Sequence, residues 1–448
     1  MIADYVWLLV ADQVQYPRAF YSLCLVSKRF NAIFSPYLYH HITLYGIHLK
    51  HLRCISQSPY ISFTRSLQVC CLDLSLDGQC FFDMLDQMGN LRTLQLRGVE
   101  IPKTVEGRQI LHRLQSLPPR LQSLSIEADE YSWKPIDDLS LPWFLPDTLR
   151  LGHLELTALP LGFVERNLSS LADLLKTWPV QRLQLSLDHE PWRKNSLLSD
   201  LIGLFDGDQP LALRDLHLGA GFLPLKQGDN GADLGQLTDL ACLEVLGLQN
   251  GDCAYDSSLH LSSSCVSLIH AARSLHTLRL CRLSDEMVDF ITSINKKNKP
   301  SVVTSLVVHG FQQSAAWRRC GTHWKGIGLS ASSDPQQEEE MEKIVQEVIV
   351  KCVHLEELCI AIPSTKKDLL YTCLDALPNL RRLHLLPGKD DDRDTIVQEV
   401  FVRKRRLVGR GHQPLFSLVY GNECFEYLWG EPYQVVDCGR WTIPTASV

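Results

Sequence analysis

The sequence predicts an α/β fold built from stacked repeats, and three observations predict it. A pattern L-x-x-L-x-L, with Ile or Val admitted at the leucine positions, begins at Val69, Leu91, Leu121, Leu151, Val180, Leu213, Leu243, Leu275, Val303, Leu355, Leu380 and Leu415. Seven consecutive intervals, from Leu91 to Val303, span 28 to 33 residues. Ahead of many motifs lies a segment with apolar residues at helical spacing: Leu168, Leu171, Leu174, Leu175 and Trp178 before Val180, and Met287, Phe290, Ile291 and Ile294 before Val303. Leu370, Cys373, Leu374 and Leu377 do the same before Leu380.

In a chain rich in Leu, Ile and Val the motif alone is weak, and the phasing carries the prediction. Each unit reads as helix, tight turn and short strand, with turns marked by Pro118-Pro119, Pro179, Pro300 and Pro378-Asn379. One such unit cannot bury its own apolar face, whereas stacked units share a continuous core, with strands on a concave side and helices on a convex side. The unit resembles the leucine-rich repeat, at a period somewhat longer than its usual length of about 20 to 29 residues. The competing fold is an ordinary α/β protein with alternating strands and helices. That fold gives no reason for a dozen strands to open on one motif.

The expected limits are a helical segment at 1–45, a leucine-rich-repeat solenoid at 46–425, and a C-terminal cap or tail at 426–448. One interval is anomalous, because 52 residues separate Val303 from Leu355. Its polar stretch contains Trp317, Arg318, Arg319, Cys320, His323, Trp324 and Lys325, and reads as a loop at about 312–333 inserted in one repeat. A helix then restarts with Asp334 as N-cap, Pro335 at the first position and Gln337 placed to complete a capping box. Its apolar stripe is Met341, Ile344, Val345, Val348, Ile349 and Cys352.

The first 45 residues do not follow the repeat. Val6, Leu9, Val10 and Val14 suggest one amphipathic helix; Phe20, Leu23, Cys24, Ser27 and residues 30–34 suggest a second, with Pro17 between them and Pro36 after. About 40 residues cannot bury this much apolar surface alone, so the segment should lean on the repeats or on a partner.

The run Leu23-Cys24-Leu25-Val26-Ser27-Lys28-Arg29-Phe30-Asn31, followed by Ser35-Pro36-Tyr37-Leu38-Tyr39, resembles the second half of an F-box of the fungal type. A Val-Ser-Lys-x-Phe-Asn core and a later Pro-x-Leu-Tyr are typical of that family. The opening departs from it: Ile2-Ala3-Asp4-Tyr5-Val6 stands where Leu-Pro-x-Glu-Ile is common, so the Pro and Glu are missing. The resemblance implies docking on the Skp adaptor of a cullin-RING ubiquitin ligase, through Ile2, Val6, Leu9, Val10, Leu23, Leu25, Val26 and Phe30. The alternative is that these helices only cap the exposed end of the solenoid.

Composition narrows the function classes. A net charge of -7 gives no footprint for a phosphate backbone, so nucleic acid is not an expected partner. The apolar run 5–11 is too short to span a bilayer and follows Asp4, so neither a signal peptide nor a membrane anchor is expected. Fifteen cysteines without a C-x-x-C pair suit a reduced, intracellular protein, cytoplasmic or nuclear. The Asn167-Leu168-Ser169 acceptor tripeptide carries no weight without a secretory signal.

Candidate chemistry is scattered. Cys320 with His323, and Cys352 with His354, have zinc-ligand types at the wrong spacing for a finger. Asp390-Asp391-Asp392 reads as an acidic entry to a helix and Arg403-Lys404-Arg405-Arg406 as basic residues at a helix end, the latter with an import signal as its alternative. Gly219-Ala220-Gly221 and Gly409-Arg410-Gly411 read as turns. No catalytic residue, metal or cofactor is expected.

Alternate strand residues should face the concave surface. They are Asp73, Gln95, Arg97, Glu127, His153, Glu155, Arg182, Asp215, His217, Arg279, His309, Glu357, Arg382 and His384. A strip of mixed charge suits a protein segment better than a polyanion. Two functions follow: a substrate-recognition subunit of a Skp-cullin-F-box ubiquitin ligase, holding an unknown target protein on the repeat surface, or a repeat scaffold with no link to ubiquitin.

Overall fold

Where the motif recurs the chain forms short parallel strands, and the entry to each strand is built the same way. The computed structural model describes residues 7, 17–45, 49–70, 74–99, 120–128, 149–187, 197–223, 234–248, 272–280, 283, 285–296, 303–308, 314–329, 335–361, 366–386, 393–415, 417–420, 423–428 and 431–435. Two units divide the chain, Met1–Leu243 and Glu244–Val448.

In the first unit, strands β1 (His41–Tyr45), β2 (Ser66–Cys70), β3 (Thr93–Val99), β4 (Ser123–Ala128), β5 (His153–Leu159), β6 (Arg182–Leu187) and β7 (Asp215–Leu218) pair in chain order, all parallel. From β2 to β7, two successive backbone N–H groups at the strand entry donate to the carbonyl just ahead of the preceding strand. Arg92 and Thr93 donate to Arg65 O at 2.8 and 3.0 Å, and Gln181 and Arg182 to Gly152 O at 2.8 and 3.1 Å. This shared acceptor locks the register. Leu67, Leu94, Leu124, Leu154, Leu183 and Leu216 therefore stand in one row and Val69, Leu96, Ile126, Leu156, Leu185 and Leu218 in the next, all buried. Between strands run helices such as Leu161–Thr177, which buries Phe163, Val164, Leu168, Leu171 and Leu175 along one stripe.

The second unit repeats the scheme with β8 (Val245–Leu248), β9 (Thr277–Leu280), β10 (Ser305–Val308), β11 (Gly326–Leu329), β12 (Glu357–Ala361), β13 (Arg382–Leu386) and β14 (Ser417–Tyr420), all parallel. Two antiparallel strands follow, β15 (Glu423–Leu428) and β16 (Glu431–Val435), across the start of the expected cap or tail.

Several sequence expectations shift. The 312–333 stretch is not a projecting loop: it holds the helix Ser314–Cys320 and β11, paired on both sides. The motif there is Trp324-x-x-Ile327-x-Leu329, with a fully buried Trp at the first leucine position and its Nε1 donating to Gly321 O at 3.1 Å. It divides the 52-residue interval into 21 and 31 residues. The motif start at Val69 is out of register. Val69 is the third motif position of β2, and the first is Thr64, also buried. Strand β1 lies inside the 1–45 segment, so the sheet begins earlier than expected. The second N-terminal helix is two helices, Pro17–Val26 and Lys28–Leu38, and Pro36 sits in the last turn of the latter instead of after it.

Strands β3 and β5 both bulge at their ends, where the register shifts after Arg97 and after Leu156. The residues carrying positive φ are Gly98 at 55° and Ala158 at 54°. Alanine is strained there and glycine is not. Ala158→Gly is expected to stabilise the protein by about 1 kcal/mol, and Trp324→Ala to destabilise it by about 3–5 kcal/mol. Urea denaturation followed by tryptophan fluorescence and circular dichroism checks both.

Candidate functional site

Two surfaces of the first unit carry chemistry beyond the core. One is formed by the N-terminal helices. Ser27 breaks the chain between them and caps the second helix, its Oγ accepting from Phe30 N at 3.1 Å. Asn31 reaches back with Nδ2 to Cys24 O at 3.5 Å, and its Oδ1 accepts from Ser35 Oγ at 3.2 Å. Phe20, Cys24 and Phe34 are buried between the helices, and Trp7, Leu23, Phe30, Ile33, Tyr37 and Leu38 pack around them. The rings of Trp7 and Phe30 meet edge-on at 5.0 Å, and Phe20 stacks on Tyr37 at 5.3 Å.

The expected adaptor contacts therefore divide. Leu23 and Phe30 are half-buried against the segment's own core. Leu25 is 69% exposed and Val26 67%, and with Tyr21 at 60% they form an apolar patch with no inward role. Tyr21 was missed by motif reasoning, although its spacing of four from Leu25 places both on one helix face. Ile2, Val6, Leu9 and Val10 lie outside the described residues.

The second surface is the face of β1–β7 opposite the leucine rows. Its central row, in register, is Thr43, Gln68, Gln95, Ser125, Glu155, Gln184 and His217. The row toward the strand entries ends in His153, Arg182 and Asp215, and Arg97 and Glu127 stand side by side on the other flank. The structure thus joins several expected residues. Arg182 Nε lies 2.9 Å from Asp215 Oδ2, and Arg97 Nε 3.7 Å from Glu127 Oε2. His153 Nδ1 lies 3.0 Å from Ser123 Oγ. Burial, then the Arg182 charge, lower the His153 pKa, with Asp215 opposing, so this imidazole is neutral at neutral pH. Gln68 and Gln184 belong to the same row but were not among the expected residues. The alternation that selects Gln95 selects them equally.

The corresponding face of the second unit, by itself, is different in character. Its matching central row is Gly247, Arg279, Val307, Gly328, Cys359, His384 and Val419. Strands β8, β10, β11 and β14 are buried on both faces. His384, expected to meet a partner, is instead 0% exposed with Nδ1 3.4 Å from Cys359 Sγ. Glu357 and Arg382 form an ion pair at 2.7 Å, and Arg279 is half-buried. His309 and Asp73 lie outside the described residues.

The remaining candidates have structural work. Cys320, Cys352, Cys359 and Cys373 are buried, and burial pushes each thiol up to about 12. Such thiols are poor nucleophiles and ligands. Among the described residues no group of three or more His, Cys, Asp or Glu side chains could hold a metal ion. Asn167 is buried mid-helix, donating to Phe163 O at 2.7 Å, so it cannot accept a glycan in the folded chain. Asp390–Asp392 lie outside the described residues. Among the described residues no helix is long and apolar enough to cross a membrane.

The basic run is not a free basic strip. Arg403 pairs with Asp375, Nε to Oδ1 2.8 Å, and stands over the Tyr371 ring at 4.6 Å. Lys404 is buried, its Nζ donating to Leu377 O at 2.8 Å. That leaves Arg405 and Arg406 exposed. No protein-family model matches the chain, and no curated protein matches it either.

Burial lowers the Lys404 pKa from 10.5 to about 8. With the folded value depressed, the unfolded chain holds the extra proton across that window. Lys404 thus opposes folding below pH 8, and the penalty fades as the pH rises from about 8 to 10.5. Lys404→Met is expected to be more stable than the wild type at pH 7 by roughly 1–2 kcal/mol, after loss of the Leu377 hydrogen bond. Urea melts of both proteins at pH 7 and pH 10 should show the difference shrinking.

Proposed function

We propose that this protein is the substrate-recognition subunit of a Skp-cullin-F-box type ubiquitin ligase, with stacked leucine-rich repeats forming a solenoid behind an F-box-like segment. The observation that carries the reading is the division of labour within Leu25-Val26-Ser27-Lys28-Arg29-Phe30-Asn31. Ser27, Phe30 and Asn31 have internal roles, as cap, core and inter-helix bridge. Leu25 and Val26, with Tyr21, are left as exposed apolar surface. Contiguous exposed apolar residues on a small helical segment favour a docking partner, and the adaptor is the partner the F-box resemblance implies.

The polar face of β1–β7 is the surface on which a target would be held, presenting amides, hydroxyls and paired charges along a rigid sheet. Such a receptor performs no chemistry. It raises the effective concentration of target near the ubiquitin-transfer machinery. A second reading, a repeat scaffold with no ubiquitin link, draws on the half-buried state of Leu23 and Phe30, which an end cap also requires.

Co-expression with a Skp adaptor separates the two. The wild-type chain is expected to co-elute with the adaptor in size-exclusion chromatography. Leu25→Asp and Val26→Asp should abolish co-elution with the circular dichroism spectrum unchanged, because neither side chain supports the core. A folded chain that never associates with the adaptor leaves only the scaffold.

A further inference from the structure

We propose that the polar face of β1–β7 recognises an extended, unphosphorylated target segment through a lysine or arginine received by Glu155. This rests on the reading of that face as the target surface and names what the face selects.

On the parallel strands, four described carboxylates stand on this side: Glu127, Glu155, Asp215 and Glu357. Three of them have a guanidinium on a neighbouring strand, Glu127 with Arg97, Asp215 with Arg182 and Glu357 with Arg382. Glu155 does not. Its in-register neighbours are Ser125 on β4 and Gln184 on β6, and the same-face residues of its own strand are His153 and Thr157. No cation pairs with it among the described residues. It is half-buried, so its carboxylate is reachable yet partly desolvated. There a charge-assisted, bidentate hydrogen bond from an incoming cation is stronger than on an open surface.

The surroundings give the same sign. Arg97 and Arg182 are neutralised by their own partners, and His153 is neutral, so these groups with Glu155 carry one negative charge at the centre of the row. A phosphorylated segment needs unpaired guanidinium groups. This row supplies a lone carboxylate instead. Gln95 and Gln184 each offer a donor and an acceptor, which suits the main-chain amides of an extended segment lying across the strands.

The test uses the full-length chain immobilised with its adaptor and four oriented peptide pools. The central residue is fixed as arginine, glutamine, glutamate or phosphoserine, with degenerate flanks. Retention of the arginine pool is expected to exceed that of the glutamine pool by about tenfold. Glu155→Gln should erase the difference, and Glu155→Arg should transfer preference to the glutamate pool. Gln184→Trp, which blocks the face without altering the carboxylate, should abolish retention of every pool.

Arginine selection that survives Glu155→Gln overturns the proposal, as does preference for the phosphoserine pool or retention of no pool. If Gln184→Trp abolishes retention but the pools bind equally, Glu155 is not the selector and the target face stands. If retention is indifferent to Gln184→Trp, the face itself is not the target surface.

Discussion

Strands β2–β7 and β9–β13 are each fixed by a single backbone carbonyl just ahead of the preceding strand, which accepts two successive N–H groups at the strand entry. The acceptors in the first unit are the carbonyls of His40, Arg65, Arg92, Gln122, Gly152 and Gln181. In the second they are Glu244, His276, Thr304, Lys325 and Glu356. A one-residue slip in a strand would move its leucines to the opposite face and its polar residues into the core. Everything else follows from this lock, including the apolar rows, the polar face and the pairing of charges from neighbouring strands. Side chains around it vary freely, because the lock uses main-chain atoms alone.

That freedom explains what was legible in the sequence and what was not. The phasing of Leu121, Leu151, Val180 and Leu213 reports strands directly, because leucine fills the inner layer at each motif position. Thr64 and Trp324 fill the same position with a hydroxyl and an indole, and a pattern written for Leu, Ile and Val passes over them. Missing Trp324 turned a helix and a strand into a loop. Missing Thr64 let the pattern lock onto Val69, whose burial belongs to the third position. Volume at the first position is evidently adjustable when the neighbouring turn adapts, as when Gly321 offers its carbonyl to the Trp324 indole. Short sequence patterns record the commonest solution to a packing requirement and miss the rarer ones.

The open face was half legible for a related reason. Alternation along a strand tells which residues face away from the leucines, and it identified Gln95, Glu155, Arg182 and Asp215. It does not tell whether that face meets water. In the first unit most outward residues are amides, hydroxyls and charges that remain partly exposed, whereas Ser125 and Cys70 are buried. In the second unit many are Gly, Ser, Val and Cys, as in Gly326-Ile327-Gly328-Leu329 and Ser417-Leu418-Val419-Tyr420, and those strands are buried on both sides. Strands buried on both faces read as near-continuous small or apolar residues. The distinction was present in the sequence, but His384 stands out as polar in such a row and was read as accessible. Its neighbour Cys359, uncharged and equally buried, is the better indicator of that environment.

The N-terminal segment obeys the converse logic. In a pair of helices with little interior, every residue that can stabilise the pair from within is used so. Ser27 ends one helix and starts the next, Asn31 ties the second back to the first, and Phe30 joins the aromatic cluster. A sequence motif mixes such residues with those left on the surface, and conformation alone separates them. Leu25 and Val26 satisfy nothing inside the segment, and exposed branched aliphatic side chains gain free energy only when something covers them. Under the proposed function, recognition falls to two chemically different surfaces of one unit, apolar on the helices and polar on the sheet, so a change that weakens one need not disturb the other.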